Sequence, residues 1–196
     1  MATLSTSPLP TSVYNSLPTD RTLFDDETMT ELAAVFSAYN VGDSIGLTIL
    51  HRHYQLDNGN VMVHDGLKCR SVLVNDEDKN MFDGQSFFVY EDGFQAYEFC
   101  VGESPLELDL KFLKHIQEYI LSANLQRRVA LTRLSPKYKM LLEYEQPQFQ
   151  GCIRVPGIRK NVQPEDVTTW KFDGGVGEFL PVQSCYQVGD KHESRA

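Results

Sequence analysis

The 196-residue chain lacks the marks of several large protein classes. It contains no apolar run of roughly 18 to 20 residues, the length a helix needs to cross a bilayer. No basic segment leads into a hydrophobic stretch near the start, and the first basic residue is Arg21, so neither a secretory signal nor an Arg-rich presequence is expected. The four cysteines, Cys69, Cys100, Cys152 and Cys185, form no CxxC pair, which excludes a zinc ribbon and a redox dithiol motif. Their even number leaves disulfides open, but a core of this size does not need them, and they read as free thiols in a reducing cytoplasm. Positive charge is also scarce: 18 Lys and Arg stand against 27 Asp and Glu, a formal charge of -9. Such a surface repels phosphate backbones and anionic headgroups, so nucleic-acid and membrane partners are not expected. A small-molecule ligand or a protein partner remains.

Hydrophobic residues make up 41% of the chain, enough for one folded domain. Residues 1–22 are crowded with Ser, Thr and Pro and read as a flexible arm, 23–188 as a single globular domain, and 189–196 as a flexible tail.

Two helices are well signalled. Asp25 is placed to cap the first, Asp26 and Glu27 put negative charge at its positive end, and Asn40 and Gly42 can end it. Met29, Leu32, Ala33, Phe36 and Tyr39 recur on one face between them. Ser104-Pro105-Leu106-Glu107 matches a capping box for the second, whose buried stripe runs through Leu108, Phe112, Ile116, Tyr119 and Ile120. His115 falls on its wet side. Short β-branched and aromatic runs alternate with turn signals elsewhere, over 45–56, 61–65, 68–74, 86–90, 94–101, 128–134, 139–144, 151–155 and 168–172. Hairpin turns outnumber plausible crossover helices, so the expected fold is α+β, a mainly antiparallel sheet with two principal helices packed on it.

The sharpest chemical signal is the stretch His51-Arg52-His53-Tyr54-Gln55-Leu56-Asp57-Asn58-Gly59-Asn60-Val61-Met62-Val63-His64. Asn58-Gly59 is the favoured pair for a two-residue hairpin turn. That turn would set His53 opposite His64 and Arg52 opposite Asp65, with His51, His53 and His64 on the face of Ile45, Leu47 and Ile49. The α-carbons would lie roughly 7 Å apart along the strand and about 5 Å across it, so three imidazoles could converge.

Three readings follow. His51, His53 and His64 could hold a divalent transition metal that polarises a carbonyl or activates water. Without metal, His53 and His64 could act as an acid/base pair, with His51 and Tyr54 against the ligand. The third reading makes them buried polar side chains with no chemistry. Gly46, His51, His53, Asp57 and Gly66 resemble a degraded first motif of the cupin metal site. Asp57 stands where that motif has Glu, the spacings differ and no partner motif follows, so no cupin ligand is carried over. Leu50-His51-Arg52-His53-Tyr54 also resembles a segment of small fungal proteins, a likeness limited to this region that implies no activity.

Other motifs yield less. Asp76-Glu77-Asp78-Lys79-Asn80 begins like a calcium loop, but Met81 and Phe87 occupy its required Gly and Glu positions. Gly174-Gly175-Val176-Gly177 lacks the Lys-Ser/Thr of a phosphate loop and reads as a mobile turn. Between Tyr119 and Leu142 there is no acid between the strand-forming runs, and Arg127, Arg128, Arg133, Lys137 and Lys139 could draw an anionic ligand, with Arg133 the candidate contact, or guard a sheet edge. Trp170 could stack on a ligand or seal the core. The expected function is therefore a small-molecule-binding cytoplasmic protein, of lyase, isomerase or cyclase type if catalytic. The alternative is a non-catalytic adaptor whose histidines are structural.

Overall fold

The structure, a computed structural model, describes residues 4–19, 24–75, 81–103, 106–158 and 162–186. The ordered elements are β1 (Leu4–Ser5), α1 (Thr11–Asn15), α2 (Asp26–Tyr39), β2 (Ile45–Ile49), β3 (Asn60–Asp65), β4 (Lys68–Leu73), β5 (Asp83–Tyr90) and β6 (Gly93–Cys100). They continue with α3 (Leu110–Ser122), β7 (Val129–Arg133), β8 (Leu141–Gln146), β9 (Gly151–Pro156), β10 (Val167–Asp173) and β11 (Glu178–Tyr186).

Strands β2 to β11 form one ring in the order β6-β3-β4-β9-β8-β11-β10-β2-β7-β5, closed because β5 also pairs with β6. Two pairs within the ring, β3–β6 and β8–β11, run parallel. The expected α+β sheet carrying two principal helices is thus corrected to a closed, mixed ten-stranded β-barrel with three short α-helices among the described residues. Local turn signals identify strands, but closure comes from pairs distant in sequence, such as β2 with β10. It also needs β11, a strand that the pattern around Pro181 did not announce. Because β7 pairs with both β2 and β5, its flanking basic residues guard no sheet edge.

The alternation of side chains sorts the wall into two faces. Ile45, Leu47, Val61, Val63, Phe87 and Leu131 point outward and join Phe36 of α2 and Phe112 of α3 in the main apolar core. The rings of Phe36 and Phe112 meet edge to face at 5.3 Å. Each fully buried side chain of this kind contributes about 1.5 to 3 kcal/mol. The larger hydrophobic cluster therefore lies between the barrel and its helices. Helix α2 begins and ends as its sequence indicates: the Asp25 carboxylate accepts from the Thr28 N–H at 2.7 Å, and Asn40 caps the other end at φ 51°. Helix α3 starts later than the Ser104 capping box implies. Its cap is Asp109, whose carboxylate accepts from the Lys111 N–H at 2.7 Å, while residues 104–105 lie outside the described residues.

A ten-stranded ring is wider than the roughly eight-stranded size that side chains alone fill. Here chain enters from both flanks. Residues expected in a flexible arm form β1 beside β6 and the short α1, and Leu9, Tyr14 and Leu17 are buried among Leu50, Leu56, Met62 and Tyr97. The Asn15 side-chain amide donates to the Leu56 carbonyl at 2.9 Å and accepts from the Leu56 N–H at 2.8 Å. Arg52 donates from Nε to the Leu17 carbonyl at 3.1 Å, so the arm and the segment after β2 are stitched together. The tail from 189 and the calcium-like stretch 76–80 lie outside the described residues.

The cysteines depart from the expectation of free thiols. Cys69 and Cys152 face each other across β4 and β9 and are joined as a disulfide. Gly174–Gly177 is the β10–β11 turn, held by Asp173, whose carbonyl accepts from the Gly177 N–H at 2.7 Å. No helix among the described residues is long and apolar enough to cross a membrane.

Candidate functional site

The predicted hairpin does not form. A turn does span Asp57 to Asn60, where the Asn60 N–H donates to the Asp57 carbonyl at 3.0 Å. Only Gly59 has positive φ there, +84°, whereas the two-residue hairpin turn needs it at Asn58 as well. Strand β3 accordingly pairs with β4 and β6, not β2; His64 lies opposite Cys69 and Cys100, and Asp65 opposite Lys68. Strand β2 ends at Ile49, and the chain then turns into the barrel. His51 and His53 leave the face of Ile45 and Leu47 and enter the lumen with ring centres 4.8 Å apart.

The three histidines meet there even so. His51, His53 and His64 line a buried cavity with Thr48, Ser86, Thr132 and Thr169 from four further wall positions. Two successive bulges enrich this wall: Ser86 pairs with Glu98, Phe87 with Ala96 and Gly84 with Phe99, so Gln85 and Tyr97 are extra residues. Gln85 and Ser86, and likewise Tyr97 and Glu98, thereby reach the same cavity despite being adjacent in sequence.

Carboxylates surround the imidazoles. His53, its side chain 3% exposed, places Nε2 3.0 Å from Glu143 Oε1 and 3.7 Å from Glu98 Oε1. Its Nδ1 lies 3.6 Å from Glu145 Oε1 and 3.8 Å from the Cys185 sulfur. Burial alone would strip this ring of its proton, but the Glu143 charge and then Cys185 outweigh it and hold the His53 pKa well above its ordinary value. Burial likewise opposes charge on Glu98, yet the neighbouring His64, then His53, bring its carboxyl down to about 2. Glu143 is also buried and is held below the usual carboxylate range, chiefly by His53. Gln183 donates to Glu143 at 2.6 Å and Ser86 to Glu98 at 2.8 Å. His64 differs from its neighbours. Its Nε2 lies 3.4 Å from Glu98 Oε2, and both buried ring nitrogens fall short of hydrogen-bond geometry with any described residue.

The expected ligand contacts are less central. Tyr54 stands outside the cavity lining, half-buried, its hydroxyl pushed up to about 12 by burial and then by Glu145. Arg133 is half-buried on β7 and also outside the lining. The expected metal set changes too. His51, His53 and Cys185 bring donor atoms within 4.8 Å of one another; His64 is not in that group. The disulfide removes Cys152 as a nucleophile, and burial raises the Cys100 thiol to about 11. Trp170 is buried with Ile49 and Val167, away from the lumen. His115 remains outside as expected, near the Tyr39 hydroxyl at 3.4 Å.

Glu98, Glu143, Glu145, Arg154 and Cys185 escaped the sequence reading. Leu141-Leu142-Glu143-Tyr144-Glu145 alternates cleanly, but such a pattern ordinarily marks acids facing water. In this barrel it marks the inside.

The cavity measures about 20 Å³, which accommodates about one water. No model of a known protein family, no curated protein and no solved structure matches the chain.

Proposed function

We propose that the barrel lumen binds a small polar molecule and moves a proton on it, as a lyase, isomerase or cyclase does, with His64 as the acid/base group and Glu98 as its partner. The observation that carries this reading is the His64 ring, buried on a polar cavity with neither nitrogen in a hydrogen bond to a described residue. An unsatisfied buried polar atom costs about 1 to 3 kcal/mol, and a bound ligand that accepts or donates at the ring removes that cost. An imidazole ring has one nitrogen that can donate and one that can accept, so it can both take and return a proton in one turnover.

His53 has a different part. Its Nε2 is engaged by Glu143 at 3.0 Å, so it positions the wall of the cavity while His64 meets the ligand. The route inward lies through residues 9–17, which plug the lumen with Leu9, Tyr14 and Leu17.

A thermal-shift screen of small carboxylic acids, ketones and amides tests the reading. Ligands at a hundred times their Kd stabilise by about 2.7 kcal/mol. His64→Gln should abolish the shift of every ligand found while leaving the unliganded melting temperature near that of the parent. A variant that retains the shifts overturns the assignment, and a screen without ligands returns the protein to the adaptor reading.

A further inference from the structure

We propose that His51, His53, Cys185 and Glu145 form a site for one divalent transition metal of the zinc class, set in the barrel wall beside the His64 cavity. This goes beyond the ligand site, since neither His64 nor Glu98 belongs to it.

The hydrogen bonds fix which ring nitrogens carry protons. His51 Nδ1 lies 2.8 Å from the Ile49 carbonyl, which can only accept, so this nitrogen carries the proton and Nε2 keeps its lone pair. His53 Nε2 faces the Glu143 carboxylate at 3.0 Å and donates to it, so Nδ1 is the nitrogen that ligates once its own proton has left. A metal-binding histidine usually donates its second ring N–H to a carbonyl or a carboxylate, which fixes the tautomer and strengthens the donor. Both histidines have that support.

The remaining nitrogen of His53 points at the other two donors. Nδ1 is 3.8 Å from Cys185 Sγ and 3.6 Å from Glu145 Oε1. Glu145 is 8% exposed, and its buried Oε1 has no hydrogen-bond partner among the described residues. Bonds of about 2.0 to 2.3 Å around a tetrahedral ion put neighbouring donors about 3.3 to 3.8 Å apart. One ring nitrogen of His51, one of His53 and the Cys185 sulfur lie within 4.8 Å of one another, so these three close on an ion with side-chain shifts of about 1 Å, and Glu145, outside that group, swings in beside His53 as the fourth donor.

Charge and size agree. A divalent ion enters as two protons leave, from Cys185 and from His53, so the net charge of the buried cluster that includes Glu143 does not change. On binding, the Cys185 thiol and His53 Nδ1 each give up a proton, and both protons leave to solvent. An ion also needs no opening of the plug wide enough for an organic molecule. The second close group, Cys69, Glu143 and Cys152, cannot do the same while its sulfurs are bonded to each other.

Cobalt(II) tests the site with a readout independent of activity. Chelator-treated full-length protein, kept free of reductant so that Cys69–Cys152 stays bonded, is titrated with cobalt chloride. The expected result is one cobalt per chain, with the visible absorption of a tetrahedral ion and a near-ultraviolet thiolate-to-cobalt band. Cys185→Ser should lose the near-ultraviolet band, and Glu143→Gln should weaken binding by about 10- to 100-fold. His64→Gln should keep the band and the affinity, which separates this site from the ligand reading. Cys100→Ser is the control for the other thiol and should also keep the band. Circular dichroism verifies that each variant is folded; should Cys185→Ser fail, Cys185→Ala takes its place. Absence of stoichiometric cobalt in the folded parent overturns the proposal, as does a thiolate band that survives loss of the Cys185 sulfur.

Discussion

The two faces of the barrel wall obey opposite rules. Outward, Leu47, Val63, Phe87 and Leu131 pack against α2 and α3 as an ordinary apolar core. Inward, Thr48, His64, Ser86 and Thr132 surround a cluster that includes Glu98, Glu143 and His53. Burying several ionisable groups costs several kcal/mol for each charge, and apolar residues of equal volume often serve stability as well or better. Apart from the apolar packing of the arm around Met62 and Tyr97, the contrast assigns stability to the outer face and chemistry to the inner one.

On the outer face a single truncation should be costly. Phe87→Ala should cost about 3 to 5 kcal/mol in urea unfolding, because its side chain is 1% exposed and leaves a void between wall and helices. A loss below about 1 kcal/mol would show that the outer packing is not what holds the barrel. Next is the Cys69–Cys152 bond, which closes a separation of 83 residues. Replacing both with Ala should cost about 2 to 4 kcal/mol, and adding reductant to the parent should reproduce most of that loss.

The inner face should behave otherwise. In the metal-free protein, replacing His53 and Glu143 together with Met and Leu should leave stability unchanged or raise it by about 1 to 4 kcal/mol. Glu143→Leu alone should cost about 3 to 5 kcal/mol, because the His53 charge is then left without its closest partner. If the double variant is as damaged as the single one, the cluster is structural and the division fails.

The smallest effect is at the surface. Thr28 holds the Asp25 carboxyl below its ordinary range through its backbone N–H. A carboxylate pKa lowered by folding stabilises above the ordinary value and loses that contribution as pH falls through the lowered one. Asp25→Ala should therefore melt slightly below the parent at neutral pH, and the gap should close in strong acid. A constant gap across that range would remove the cap as its cause.

How far the sequence could be read depends on the distance over which each feature is decided. Helix α2 follows from Asp25, Asn40 and the stripe between them, all within fifteen or so residues on one helix. Most strands were visible in the same local way. The start of α3 was misplaced because Asp109, not Ser104, has its side chain on the first free N–H groups. The histidine cluster was anticipated from a hairpin that is not there. Asn58-Gly59 turns the chain, but residues 50–56 do not pair with β3; they enter a lumen too wide for the wall side chains to fill, where Leu56 meets Asn15 and His51 meets the cavity.

The acids show the limit most clearly. Glu143 and Glu145 alternate with Leu142 and Tyr144, and nothing in that pattern distinguishes a lumen from a solvated face. By itself the sequence determined where the chain stiffens into strands and helices, which residues share a side of each element, and that three imidazoles lie within a short stretch. Those properties are set by backbone geometry and by neighbours a few positions away. Which side of each strand became the inside was settled only when β5 met both β6 and β7 and the ring closed, because inside and outside are properties of the whole ring and of no strand in it.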